Sequence, residues 1–271
     1  RTTKTPSNTS STKGSTTSIK NSPYAGKVRI TSKGSAASAI QVNQEYITLQ
    51  NTTRDEYIAI SGWKLVNGRD SRYYSTSSST QLIYYKPDSV VIPSGTRYLT
   101  GKTKNTLSLI VLAPKDRAHI VTGKMPNQSP YAIPSSFKLN KCVGYIEALS
   151  LYKFTPAVSL QCPAPSKEAD INNLEQSCYD YVRRLSRCHT PEFRVVEGID
   201  YVDSTTGLSE YCKRYVRERF SYDGCLTRHT SDEDFLSPIW YVYLNYSHQL
   251  WNVNRDRILL YDAQGKLVDE L

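Results

Sequence analysis

The distribution of cysteine constrains this chain more than any other sequence feature. All six cysteines lie between positions 142 and 225, and the 141 residues before them contain none. An even number of clustered cysteines favours disulfide bonds, and therefore an oxidising compartment. The cysteines are Cys142, Cys162, Cys178, Cys188, Cys212 and Cys225. The alternative is a metal site with His189 and His229 as further ligands, but no Cys-x-x-Cys pair is present to give zinc two thiolates.

Short β-strands are predicted on both sides of the cysteines. Apolar and polar residues alternate in residues 27–31, 46–49 and 57–60, as in strands with one buried face. Strands return at residues 239–244 and in a hairpin at 256–271, where Gln264 and Gly265 suit a tight turn. Short strands at this spacing are typical of a β-sandwich.

Two helices are predicted among the cysteines, at residues 167–187 and 206–219, because apolar residues recur there with helical periodicity. Each places a cysteine on its apolar side, so we expect an antiparallel helical pair held by disulfides. In such a pair the end of the first helix lies beside the start of the second. This geometry predicts the bonds 142–162, 178–225 and 188–212 out of 15 possible connectivities.

Two separated segments resemble the lamin tail domain, the immunoglobulin-like sandwich of nuclear lamins and of many bacterial surface or secreted proteins. The first is EYITLQN at residues 45–51, followed by ISGWKL at 60–65 and the turn IPSG at 92–95. The second is the closing hairpin DRILLYDAQGKLVDEL at 256–271. The resemblance implies an immunoglobulin-like sandwich with Trp63 in its core.

The fold class predicted from these observations is mainly β: an immunoglobulin-like lamin-tail sandwich with a disulfide-stapled α-helical insertion. Residues 1–26 form a Ser/Thr/Lys-rich linker or tail, residues 27–135 and 238–271 form the sandwich, and residues 136–237 form the cysteine-rich, mainly helical insertion. The lamin domain lacks this insertion. No coiled-coil heptads precede the domain, so a cytoskeletal role is not expected. No apolar run is long enough for a membrane span.

The net charge of +9 comes mostly from the N-terminal region. Residues 1–44 carry seven Lys or Arg and no acidic residue, whereas residues 45–271 carry 27 basic and 25 acidic residues. A basic tail of this composition predicts a solvated tether with nonspecific polyanion contacts rather than a device that reads bases. Binding of nucleic acid through this tail stays an alternative function, with steep salt dependence.

The sequence offers few candidates for chemistry. None of the four histidines lies in a recognised motif, and the densest polar cluster, around His229 and Asp232, is interpreted as an exposed capped turn. A hydrolase site using His229, Asp232 and His189 is the less favoured enzyme hypothesis. Trp240, Tyr241, Tyr243, Tyr246 and Trp251 form an aromatic stripe that is interpreted as sheet packing rather than a stacking platform. No catalytic residue, cofactor or metal is therefore predicted.

The resulting functional prediction is a non-enzymatic, exported protein of the cell surface or cell envelope. It presents a binding or assembly module, with an extracellular or cell-surface location. Its expected partners are other surface proteins or envelope polymers.

Overall fold

The computed structural model describes most of the chain outside the N-terminal tail. Of the predicted tail, residues 1–20 lie outside the described residues. The structure describes residues 21–34, 41–68, 72–75, 80–83, 88–100, 105–125, 131, 133, 136–149, 151–196, 199–201, 207–251 and 257–271.

Strands dominate the described part of the chain, and the helices all lie between residues 144 and 229. The strands are β1 (Val28–Ser32), β2 (Tyr46–Asn51), β3 (Ile58–Ala59), β4 (Lys64–Asn67), β5 (Arg72–Ser75), β6 (Thr80–Ile83), β7 (Ser89–Val91), β8 (Gly95–Thr96), β9 (Val111–Leu112), β10 (Arg117–Val121), β11 (Ser136–Asn140), β12 (Arg194–Val196), β13 (Ile199–Tyr201), β14 (Leu236–Tyr243), β15 (Ile258–Tyr261) and β16 (Leu267–Glu270). The helices are α1 (Gly144–Glu147), α2 (Gln176–Arg184), α3 (Glu210–Arg219) and α4 (Tyr222–His229), with 3₁₀ turns at Pro165–Lys167 and Ala169–Asn173.

Two principal sheets organise the fold. The larger has the strand order β1-β2-β10-β14-β11-β8, in which β14 runs parallel to β10 and antiparallel to β11. The smaller has the antiparallel order β16-β15-β4-β7. Three further two-stranded pairs are β3-β9, β5-β6 and β12-β13. The protein is thus mainly β, and its sheets are compatible with the predicted sandwich.

The two principal sheets share an apolar core because their strands alternate. Ile47 and Leu49 of β2, Ile120 of β10, and Leu65 and Leu260 of the smaller sheet are all fully buried in it. The expected core position of Trp63 is confirmed, since only 2% of its surface is exposed. At the sheet edges, the Ile30 amide of β1 donates to Asp269 Oδ2 of β16 over 2.7 Å.

The opposite face of the larger sheet carries a second core. Trp240 and Val242 of β14 face the core between the sheets, whereas Tyr241 and Tyr243 face the cysteine-rich segment, by which we mean residues 136–237. A strand that is buried on both faces favours a nearly continuous apolar sequence, which explains the aromatic stripe. The prediction that this stripe packs the sheet is confirmed for Trp240, Tyr241, Tyr243 and Trp251, all nearly fully buried.

His119 of β10 lies in this second core. Its Nδ1 is 3.1 Å from Thr48 Oγ1, and its ring meets the rings of Tyr46 and Tyr241 edge-on. Burial, together with the positive charge of Arg117, lowers the pKa of His119 from 6.5 to about 4. The folded protein therefore holds this imidazole neutral under conditions where the unfolded chain protonates it.

We expect the free energy of unfolding to fall as the pH is lowered from 6.5 towards 4. In that window the unfolded state binds more protons at this site than the folded state does, so the stability present above the window is lost on acidification, by about 3 kcal/mol at most. His119→Asn removes the pH dependence of stability that comes from this histidine. His248→Asn, which replaces an exposed histidine, is the matched control. Urea unfolding across this pH range tests it. Equal pH dependence in the two variants would contradict the prediction.

The helices differ from the sequence prediction in extent. Instead of one helix over residues 167–187, two 3₁₀ turns precede α2, because Leu174 and Glu175 adopt extended backbone conformations that interrupt the helix. The second predicted helix begins only at Glu210, where Ser209 Oγ accepts from the Cys212 amide. The additional helix α4 follows a turn so tight that a Cβ on Gly224 would lie 2.1 Å from the Glu218 carbonyl oxygen. Among the described residues, no helix is long and apolar enough to span a bilayer.

All six cysteines form disulfides, as predicted, but all three predicted pairs are wrong. The observed bonds are Cys142–Cys225, Cys162–Cys188 and Cys178–Cys212. The physical reason is the orientation of α2 and α3. Their N-terminal ends meet, with Ser209 Oγ donating to Glu175 Oε1, so the cysteines one turn into each helix are neighbours. The antiparallel clamp expected from the sequence is not the arrangement of these helices. Three disulfides indicate an oxidising environment.

Candidate functional site

A cleft of about 370 Å³ lies where the larger sheet meets the cysteine-rich segment. One wall is formed by Arg97 and Tyr98, which follow directly after β8, and the other by the turn between α4 and β14. Asp116 and Lys138 lie among the lining residues on the sheet side. The cleft thus combines residues from the sheet and from the cysteine-rich segment. Such junctions are frequent places for ligand sites.

The turn between α4 and β14 is held in place by its own buried residue. The Phe235 amide donates to the Asp232 carbonyl over 3.1 Å, and the Phe235 carbonyl accepts from the Lys141 amide over 3.0 Å. Phe235 is 3% exposed, so its side chain anchors the turn in the core. Asp232 and Glu233, which precede it, are consequently positioned on the wall of the cleft.

Most charges in the cleft are already paired. Lys138 Nζ lies 2.6 Å from Asp116 Oδ2, and both side chains are largely buried. Asp232 Oδ2 accepts from Lys141 Nζ over 3.0 Å and contacts His229 Nδ1 at 2.8 Å. The hydrogen bonds from Lys141 and then from His229 hold the pKa of the Asp232 carboxyl below its usual value. Asp232 is therefore an ionised acceptor at neutral pH.

Two exposed side chains of opposite charge complete the polar lining. The Arg97 guanidinium lies 5.7 Å from the centre of the Tyr98 ring, and Tyr98 itself is 49% exposed. Glu233 is exposed and makes no ion pair or hydrogen bond with another described residue. Among its described residues, the cleft consequently offers one unpaired cation, one unpaired carboxylate and one accessible aromatic ring.

A smaller, apolar recess of about 250 Å³ adjoins the cleft. Leu99, Leu226 and Phe235 form its apolar walls. Tyr98, Thr230 and Phe235 line both the recess and the cleft. The two spaces therefore form one continuous amphipathic site beside the Tyr98 ring.

A network of largely buried charged and polar side chains lies next to the turn that forms one wall of the cleft. His229 Nε2 lies 3.0 Å from Glu168 Oε1, so this ring connects Glu168 to the cleft residue Asp232. Arg219 Nη2 donates to Glu168 at 2.6 Å and to Asp170 at 2.5 Å. The network thus links the residues around the two 3₁₀ turns to α3, to α4 and to the wall of the cleft.

The structure brings together only part of the site that the sequence suggested. His229 and Asp232 are in contact, whereas His189 follows the disulfide-bonded Cys188 and does not line the cleft. Both ring nitrogens of His229 face carboxylates. In the described part of the chain, no group of three or more His, Cys, Asp or Glu side chains is arranged to hold a metal ion.

Sequence reasoning missed Arg97 and Tyr98. They follow a strand of only two residues and belong to no motif, so neither periodicity nor spacing distinguishes them. The only signal was an aromatic residue three positions after the Pro93–Gly95 turn. The aromatic stripe is the more conspicuous aromatic feature of the sequence, but its buried members pack into the two cores. Tyr246 is half-buried against one of these cores.

Comparison of the chain with protein-family models and with curated protein sequences finds no match.

Proposed function

We propose that this chain is a non-enzymatic, exported protein of the cell surface or cell envelope that binds its partner in the cleft. In this proposal an immunoglobulin-like sandwich of the lamin-tail type presents the disulfide-stapled insertion as a binding module. The observation that carries it is the amphipathic cleft between the larger sheet and the cysteine-rich segment.

Export is supported by the three disulfides. Disulfides form and persist in oxidising compartments and are rare where thiols are kept reduced. All six cysteines are paired and nearly fully buried, which favours a structural role for these bonds. An extracellular or cell-surface location follows from this proposal.

Binding rather than catalysis is supported by the pairing of the polar groups. A general base needs a free nitrogen or oxygen within reach of the proton it removes. The ring nitrogens of His229 both face carboxylates, and the hydroxyl of the neighbouring Thr230 donates to the Leu226 carbonyl. A cysteine nucleophile would have to come from a disulfide. These groups hold the wall of the cleft in one geometry.

A rigid cleft favours binding because less conformational entropy is lost when the ligand enters. The Cys142–Cys225 bond joins α4 to the residues just after β11. Helix α4 leads directly into the wall of the cleft. Phe235 and the contact between Lys141 and Asp232 fix the turn that follows. The binding surface is thus preformed.

The test is co-sedimentation of the oxidised full chain with cell envelopes isolated from the source cells. We expect retention of the chain, and a loss of about tenfold in apparent affinity for Tyr98→Ala, as for an aromatic anchor of an interface. Tyr57→Ala is the matched control, since Tyr57 is 73% exposed and does not line the cleft. Absence of retention, or equal retention of both variants, would overturn the proposal.

A further inference from the structure

The exposed ring of Tyr98 is the central feature of the cleft. It is accessible from both the polar cleft and the apolar recess. An aromatic ring gives a flat apolar surface, and tyrosine adds a hydrogen-bonding tip. A ligand that lies on this ring must therefore have one apolar face and polar groups around its edge. The pyranose ring of a sugar has this character, with C–H groups on its faces and hydroxyls at its rim.

The charges of the cleft favour a ligand without net charge, because the two exposed charged side chains are of opposite sign and the remaining charges are paired. Lys138 and Asp116 neutralise each other, and Asp232 is paired with Lys141 and hydrogen-bonded to His229. A charged ligand would have to compete with these existing pairs, and breaking a buried pair is costly. A carboxylate has about four acceptor sites. Asp232 Oδ1 accepts no hydrogen bond from another described residue, so it remains available for a hydroxyl.

The apolar recess adds a requirement for a small apolar substituent. Its walls of Leu99, Leu226 and Phe235 lie directly beside the Tyr98 ring. The methyl group of an acetamido substituent would be removed from water there, while the sugar ring stays over Tyr98. Burial of one methyl group contributes favourably to binding.

An extended peptide fits the site less well, because the described strand next to it, β8, is already paired on both sides at Gly95. Gly95 of β8 exchanges both backbone hydrogen bonds with Ser108 on one side, and β8 pairs with β11 on the other. Recognition of an extended peptide by strand addition needs an unpaired edge. Side-chain recognition of a polyhydroxylated ligand needs none.

We infer that the cleft binds a short, uncharged glycan that carries N-acetyl groups, with one sugar ring on Tyr98 and an acetyl methyl group in the recess. This inference rests on the proposed function, because it names the ligand class of the same cleft. The roles follow from position: Tyr98 supplies the stacking surface, Asp232 and Glu233 accept from hydroxyls, and Arg97 donates to them.

Isothermal titration calorimetry of the oxidised full chain with three probes tests the inference. The probes are triacetylchitotriose, maltotriose, which lacks acetyl groups, and an acetylated, amidated tripeptide. We expect the acetylated sugar to bind about tenfold more tightly than maltotriose, and the peptide not to bind. Equal affinity for the two sugars would overturn the role of the recess, and binding of the peptide alone would overturn the glycan assignment.

Four variants separate the contribution of stacking, the role of the recess and the integrity of the fold. Tyr98→Ala is expected to weaken triacetylchitotriose binding about tenfold, whereas Tyr98→Phe keeps the ring and remains within about threefold. Thr227→Phe narrows the recess and is expected to remove the preference for the acetylated sugar. Tyr57→Ala should bind like the unaltered chain. Thermal unfolding of each variant verifies that the fold is intact.

The outcomes also separate this inference from the proposed function. Retention on envelopes that depends on Tyr98, together with no binding of either sugar, overturns the glycan and leaves the binding module standing. Failure to bind envelopes overturns the proposed function itself. Envelope binding that triacetylchitotriose displaces supports both.

Discussion

Replacing Cys142 and Cys225 together by alanine is expected to lower the free energy of unfolding by about 4.5 kcal/mol, because a disulfide restricts the unfolded chain more as the loop it closes becomes longer. These residues are 83 positions apart, the largest separation of the three bonds. The matched variant replaces Cys162 and Cys188, which are only 26 positions apart. It should cost about 3.5 kcal/mol by the same relation.

Urea unfolding of the two double variants beside the oxidised parent chain measures this difference. Alanine suits both pairs because all four side chains are buried and alanine introduces no polar group. Peptide mapping without reduction must first recover the three observed bonds. A cost that is larger for the shorter loop, or equal for both, would contradict the prediction.

The strands of the sandwich were largely predictable from the sequence. The alternation at residues 27–31 and 46–49 corresponds to β1 and β2, and the closing hairpin corresponds to β15 and β16. These strands each present one face to the core between the sheets, so the period of two survives in the sequence. The Gln264–Gly265 turn is also confirmed, since Gly265 has a φ of 74°.

The cysteine-rich segment was less predictable, because its structure depends on contacts between distant residues. The even number of cysteines predicted that they form disulfides. Which cysteines pair depends on the fold: Cys212 is the partner of Cys178 because the N-terminal ends of α2 and α3 meet. Similarly, Gly144 leaves space for the Cys162–Cys188 bond, since a Cβ there would lie 2.5 Å from Cys188 Sγ. Neither relation has a local signature in the sequence.

The cleft could not be predicted from the sequence for the same reason. Its walls come from residues after β8 and residues before β14, which are more than 130 positions apart in the chain. The sequence did predict a capped turn near Asp232, but not that Lys141 and Glu168 lie beside it. Strand β11, which lies within the segment predicted to be the insertion, pairs with both β14 and β8 and brings these parts together.

Arg219 is the residue of the charge network whose loss should have the largest effect. It lies on the buried side of α3, with 7% of its surface exposed, and its Nη2 contacts both Glu168 and Asp170. Removal of one partner from a buried ion pair leaves an uncompensated charge and typically costs about 3–5 kcal/mol. His229 and Arg228 still contact the two carboxylates, so we expect Arg219→Met to cost about 3 kcal/mol, at the lower end of that range.

Arg219→Lys is the informative companion to that change. Both contacts are made by the single atom Nη2, and a lysine ammonium is a point charge with three donors, so it retains both interactions and should cost less than about 1.5 kcal/mol. Lys27→Met removes an exposed ion pair with Glu56 and should cost less than about 1 kcal/mol. Urea unfolding at pH 7 measures all three. Equal losses in Arg219→Met and Lys27→Met would show that the network does not stabilise the cleft wall, because the buried pair would then contribute no more than a solvated one.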